Sequence, residues 1–207
     1  MTAAVNENKV VWQNRFKLIL LWMIPIGLML LASVVYHLVQ SGHISVASKN
    51  EGYLIQPPVQ ISKLVLTSDK DIDNIWRGKW TMVIRGGADC DQSCMDTLLL
   101  SRQIHIRLNK EANRTQRVYL SDAATLSKPL SEHLAAEHHY LTIAYSDSLS
   151  LAPLDQALLA TAEARQSEVE FFLVDPEGWA MMVYSAEHNG AAVLKDLKYL
   201  LKYSAER

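Results

Sequence analysis

From Leu18 to Val39 the chain reads LILLWMIPIGLMLLASVVYHLV, without one Asp, Glu, Lys or Arg. No other feature limits the fold so strongly. Crossing a bilayer core as a helix takes about 20 apolar residues, and in lipid the backbone must satisfy its own polar groups. The stretch is therefore predicted to be a transmembrane helix over residues 18–39, kinked but not broken at Pro25. Arg15 and Lys17 precede it directly and Lys9 lies further out, whereas the following flank is nearly uncharged as far as Lys49 and Glu51. The positive-inside rule then makes residues 1–17 a cytoplasmic tail and puts the chain beyond about residue 40 outside. A cleaved signal peptide would have a shorter apolar region and a small-x-small cleavage site. ASVVYHLVQSGH offers no such site, so the anchor is expected to be retained. Trp12, Trp22 and Tyr36 fit the aromatic belts of the two membrane interfaces.

The remainder suits one globular domain of ordinary size within a chain of 207 residues. With a formal net charge of -2 there is no basic footprint for nucleic acid and no acidic tail. Residues 40–60, with Ser, Gly, Asn and a proline pair, read as a stalk, and residues 61–207 as the exported domain. SKLVLT (62–67) is a short strand candidate, and Tyr53-Leu54-Ile55 a cluster that could dock back. From KWTMVIRG (79–86) onward the periodicity predicts a strand, a helix over 90–110, a strand over 116–121 and a helix over 129–138. A strand over 140–145 and a helix over 153–165, with Leu154, Leu158 and Leu159 inward, come next. VEFFLVDPEGWAMMVY (169–184) is two apolar runs around Asp175-Pro176-Glu177-Gly178, which suits a type I turn. An amphipathic helix over 190–204 closes the domain. The order β-α-β-α-β-α-β-β-α implies an α/β fold with a mixed sheet and helices on both faces. The strand at 79–86 would lie inside it, beside 116–121.

The only two cysteines, Cys90 and Cys94, follow the glycine pair Gly86-Gly87 at the carboxyl end of that inner strand. Ligand and reaction sites of open α/β sheets collect there. A separation of four on the first turn of a helix would put both thiols on one face, near amides and a dipole that favour thiolate. Asp89 and Asp91 are N-cap candidates, and with Asp96 they also oppose thiolate formation. In an oxidising compartment a structural staple, a redox couple and a metal clip all remain open. His105 is too far along the helix to join the pair, and His188 stands in a loop without ligand-like surroundings. His133, His138 and His139 read as solvated, and Met181-Met182 as core filler. No phosphate loop, nucleophile elbow, zinc spacing or dinucleotide fingerprint is present.

A strand, a glycine turn, Cys-x-x-x-Cys and later FFLVDPEG (171–178) together resemble the Sco (SenC-type) family over roughly residues 60–204. Those are membrane-anchored, thioredoxin-like proteins of cytochrome c oxidase assembly. The resemblance implies a thioredoxin-like fold, with Cys90 and Cys94 as catalytic thiols and as ligands of Cu(I). It implies oxidase subunits or other assembly factors as partners, and a bacterial inner membrane with the domain in the periplasm. The chain departs from the pattern in two places. Neither cysteine has a proline beside it, and the position matching the family's ligand histidine falls near Ser167, in RQSEVE. The expected function is an oxidase assembly factor acting by thiol reduction or Cu(I) handling. The alternative is a tethered, non-catalytic interaction module of the same fold, and a general periplasmic oxidoreductase ranks behind both.

Overall fold

The structure is a computed structural model that describes residues 3–40, 50–64, 66–68, 75–76, 78–166 and 169–204. Its contacts divide the chain into two compact units, Met1–Lys49 and Asn50–Arg207. The first holds α1 (Ala3–Gln40), which contains Pro25. Within it, Ile19–Leu38 is long and apolar enough to cross a membrane, and none of that stretch is buried in protein. Trp12, Trp22 and Tyr36 are all exposed.

The second unit is a six-stranded mixed sheet flanked by helices. Its elements are β1 (Tyr53–Gln60), β2 (Trp80–Gly86), α2 (Gln92–Arg107), a 3-10 turn (Asn109–Arg114), β3 (Thr115–Ser121) and α3 (Lys128–Glu137). These are followed by β4 (Leu141–Tyr145), α4 (Ser148–Arg165), β5 (Phe171–Val174), β6 (Trp179–Tyr184) and α5 (Gly190–Tyr203). The strand order is β1-β6-β5-β2-β3-β4. β2 runs parallel to β3, and β3 to β4, while β5 and β6 run antiparallel to their neighbours. As the sequence implies, β2 is interior and lies beside β3.

Alternating residues send the sheet's two faces into two cores. Met82, Ile84, Tyr119, Phe171 and Leu173 pack under α2, α3 and α5. Val83, Val118, Leu120, Phe172 and Val174 pack against α4 and Trp76 on the other side. Each helix start has a chemical cause. Asp91, Ser127, Asp147 and Asn189 are the N-caps of α2, α3, α4 and α5, each accepting a backbone N–H from the first turn. The β5–β6 turn is built as its four residues dictate. Gly178 N–H donates to the Asp175 carbonyl at 3.0 Å, and Asp175 Oδ1 accepts from Glu177 and Trp179. Gly178 sits at φ +86, and a Cβ there would run into Ser62, so only glycine fits.

Four expectations are corrected. Among the described residues of SKLVLT there is no strand, and Thr67 makes an isolated bridge to Tyr145. The missing strand is β1, inside the stretch that reads as stalk. Its Pro57-Pro58 pair argues against a central strand, but β1 is an edge strand, and its register with β6 shifts between Leu54 and Val59 across the prolines. α4 begins five residues before Pro153, because Asp147 caps it through Ser150 N–H and Ser150 Oγ. Leu159 points outward, 62% exposed, while Leu151 takes the inward place.

Candidate functional site

β2 ends at Gly86 against the side chain of Tyr119 on the neighbouring strand. A Cβ at Gly86 would fall inside the Tyr119 hydroxyl, so glycine is required for this close approach. The backbone beyond it is held from three sides. Tyr119 and Ser121 hydroxyls both donate to the Gly87 carbonyl at 3.1 and 3.0 Å, and Ser127 N–H donates to the Ala88 carbonyl at 2.8 Å. These bonds fix the loop that carries Cys90.

Cys90 and Cys94 are joined by a disulfide, with their Cα atoms 5.3 Å apart. The sequence places both on the first helical turn; the structure places Cys90 one residue before the N-cap and Cys94 at the third helical position. Both sulfur-bearing residues are half-buried, packed at the rim of the α2/α5 core with Met95. The pair thus meets solvent at the carboxyl end of an interior strand, as the sequence reading expects.

The local electrostatics oppose a stable thiolate. Asp91 Oδ1 accepts the Cys94 N–H at 2.9 Å, so a carboxylate already takes the helix-end amide that a sulfur anion would use. Asp89, Asp91 and Asp96 are exposed around the pair. Arg85, the nearest cation in sequence, is engaged by Asp155 at 3.0 Å and Asp122 at 3.4 Å. Burial, then Asp122, with Asp89 and Asp91 adding to it, pushes the Tyr119 hydroxyl up to about 12. At the same end of the sheet, burial and the charge of Asp96 raise the Glu170 carboxyl above its ordinary value.

A bound copper ion does not fit the residues present. The two sulfurs are bonded to each other, and among the described residues no group of three His, Cys, Asp or Glu could hold a metal. The position near Ser167 lies outside the described residues. His105 sits at the far end of α2, where burial and Arg117 lower its pKa. His188 is not a loose loop residue. Its Nδ1 accepts from Ser185 N–H at 3.1 Å, its Nε2 donates to the Glu51 carbonyl at 2.8 Å, and Tyr53 and Tyr184 pack against its ring. His138, expected to be solvated, is only 5% exposed; Arg117 Nη1 donates to its Nδ1 at 3.4 Å. Met182 is core, as expected.

Two buried charges were not singled out by sequence reasoning. Asp196 on α5, 2% exposed, accepts Glu51 N–H at 2.9 Å, Gly52 N–H at 2.9 Å and the Tyr184 hydroxyl at 3.1 Å. Its signal is its place on the inward stripe Val193–Asp196–Leu197–Leu200, where a carboxylate needs donors. Arg117 is 2% exposed, in the interior of β3. Its signal is the alternation that puts it on one face with Tyr119 and Ser121.

The comparisons agree with this architecture. Among curated proteins, none matches the chain. Yeast Sco1 with copper bound aligns over 78% of this chain and all of its own, at 15% identity and a TM-score of 0.52. BsSco, described as a member of the Sco family of cytochrome c oxidase assembly proteins with a disulfide switch, aligns over 76% of this chain and 99% of its own, at 14% identity and a TM-score of 0.48. Copper-bound ScoI of Bradyrhizobium japonicum aligns over 69% and 96%, at 16% and 0.47. The likeness to copper-bound yeast Sco1 is one of fold. Over residues 80–204, more than half its length, the chain matches a family model, and it belongs to the transmembrane-like, thioredoxin-like, C-terminal domain family.

Proposed function

We propose that this chain is a Sco-like assembly factor of a respiratory cytochrome c oxidase, anchored in a bacterial inner membrane, that reduces a partner's disulfide through Cys90 and Cys94. On this reading residues 1–17 are cytoplasmic, residues 18–39 span the membrane and the globular domain is periplasmic. The observation that carries it is the placement of a half-exposed disulfide at the carboxyl end of interior strand β2. The surrounding carboxylates set the direction of electron flow. A pair becomes a strong oxidant when its thiolate form is stabilised. Here Asp91 holds the Cys94 amide, and Arg85, the nearest cation in sequence, is paired with Asp155 and Asp122, so the disulfide is favoured and the dithiol gives electrons up.

In the step, a thiolate of the reduced pair attacks a partner disulfide and releases one partner thiolate, which takes a proton. The second cysteine then attacks the mixed disulfide. The partner leaves as a dithiol and Cys90–Cys94 as a disulfide, two electrons having moved. Reset requires an upstream dithiol donor. Copper takes no part in this reading, because no third ligand joins the two sulfurs among the described residues.

Two measurements on the full chain test it. The midpoint potential of the pair is expected between about -300 and -220 mV, in the range of reducing thioredoxin-like couples. A midpoint below about -300 mV marks a structural staple, and one above about -200 mV reverses the direction. In a deletion strain, Cys90→Ser/Cys94→Ser is expected to leave oxidase activity low. Normal activity with that variant would sink the proposal in favour of a second reading, a non-catalytic membrane-tethered interaction module. The acidic surroundings of the pair favour that alternative.

A further inference from the structure

Away from the disulfide, α3, edge strand β4 and Ser68 line a half-open pocket of about 370 Å3, within the size range of small-molecule sites. Its walls are apolar where Leu134, Ala135, Leu141 and Ile143 line it, and polar at Ser131, His138 and His139. None of the residues around Cys90 contributes. The unusual wall is His138, the C-cap of α3. Arg117 Nη1 donates to its Nδ1, which puts the ring's proton on Nε2. Among the described residues Nε2–H meets no acceptor, yet it is not sealed away as Arg117 Nε and Trp76 Nε1 are. A residue only 5% exposed thus keeps a donor that the protein does not use, on a ring that lines the cavity.

Behind it stands a charge without a counterpart. Arg117 donates only weakly, to Ser101 Oγ and His138 at 3.4 Å each, and its Nε has no partner. Among the described residues no carboxylate pairs with it. Glu137, the acid that acts on the His138 ring, is already held by Arg102 at 3.1 Å. Burial, with Arg102 adding to it, lowers the Arg117 guanidinium to about 10, which still leaves it charged at neutral pH. A buried cation costs several kcal/mol unless something negative approaches it.

We propose that this cavity binds a small organic carboxylate, its acid group accepting from His138 Nε2–H in front of the Arg117 guanidinium and its apolar body lying on Leu134, Ala135, Leu141 and Ile143. The site is separate from the thiol chemistry and stands or falls without it. Saturation-transfer NMR and calorimetry on the full chain in phosphatidylcholine nanodiscs test it, with benzoate as probe and benzamide as its neutral isostere. Benzoate is expected to bind at least about tenfold more tightly than benzamide. Arg117→Met is expected to weaken benzoate by at least about tenfold. Should Arg117→Met fail to fold, Ala135→Leu still decides. Ala135 is exposed on α3, so the larger side chain fills the cavity without touching the core, and benzoate binding should vanish. Equal binding of benzoate and benzamide would overturn the proposal, as would no binding of benzoate up to about 10 mM, or benzoate binding unchanged by Ala135→Leu.

Discussion

Reducing Cys90–Cys94 removes a bond that spans a sequence separation of only four. For so short a loop the chain-entropy relation gives about 2 kcal/mol at 25 °C, the low end for disulfides. The N-cap bond from Cys94 N–H to Asp91, the hydroxyl bonds to Gly87 and the core under α2 all persist without the disulfide. In a domain of about 150 residues, 1 kcal/mol moves the midpoint of unfolding by about 2–4 °C. Reduction should therefore lower Tm by about 4–8 °C and leave the native fold intact. The same free energy must appear in the redox equilibrium. If the bond stabilises the fold by about 2 kcal/mol, the fold stabilises the bond equally, and for two electrons this is about 40 mV. The potential of the folded pair should lie about that far below that of the same pair in guanidinium-unfolded chain. Circular dichroism melts of the oxidised and reduced full chain, with thiol counting in dithiothreitol buffers, measure both quantities. Reduction that unfolds the domain at 25 °C would refute the reasoning and make the bond a staple. Unchanged Tm with coincident potentials would refute it from the other side.

Three further outcomes follow from the buried polar groups and the glycine turn. Asp196→Ala leaves the amides of Glu51 and Gly52 and the Tyr184 hydroxyl without their acceptor, and should cost at least about 3 kcal/mol in urea unfolding; a loss under about 1 kcal/mol would show the clasp to be idle. His138 has its pKa lowered from 6.5 to about 4, by burial and then by Arg117, so below pH 6.5 the unfolded chain binds a proton that the fold resists. Its contribution to stability is complete above about pH 6.5 and is lost as pH falls toward 4, by about 3 kcal/mol in all, and His138→Gln should flatten that part of the stability–pH curve. Gly86→Ala should destabilise by roughly 1–3 kcal/mol through the clash with Tyr119. Tyr119→Phe should recover part of that loss in thermal melts, and no recovery would mean that the glycine serves another purpose.

Much of the fold is legible because local chemistry and global packing agree. The β5–β6 hairpin is readable from Asp175 to Gly178, since each of those residues has a specific duty in the turn. β2 and β3 are readable because apolar runs bounded by glycine or serine belong inside a sheet. β1 was hidden because its proline pair forbids a central strand, and periodicity does not reveal that a strand will lie at an edge. The location of the thiol pair was readable, while its register against the helix was not. Asp91 instead of Asp89 caps α2, and that one choice moves Cys90 off the helix. Arg117 and Asp196 escaped notice, and His138 read as solvated, because a polar residue on an inward stripe looks the same on paper whether it is solvated or enclosed. Only the third dimension supplies their neighbours.

The clasp at residues 51 and 52 has a mechanical consequence. Tension reaching the domain along the backbone from residue 50 meets Asp196, which grips the Glu51 and Gly52 amides, and His188, which grips the Glu51 carbonyl. Load is thereby handed to α5 and the loop before it, ahead of the first hydrogen bonds of β1. Peeling β1 from the edge would require that grip to fail first. Because α5 packs against α2, the helix that carries Cys94, a pull taken up by the clasp passes to the helix of the thiol pair before it reaches the sheet edge.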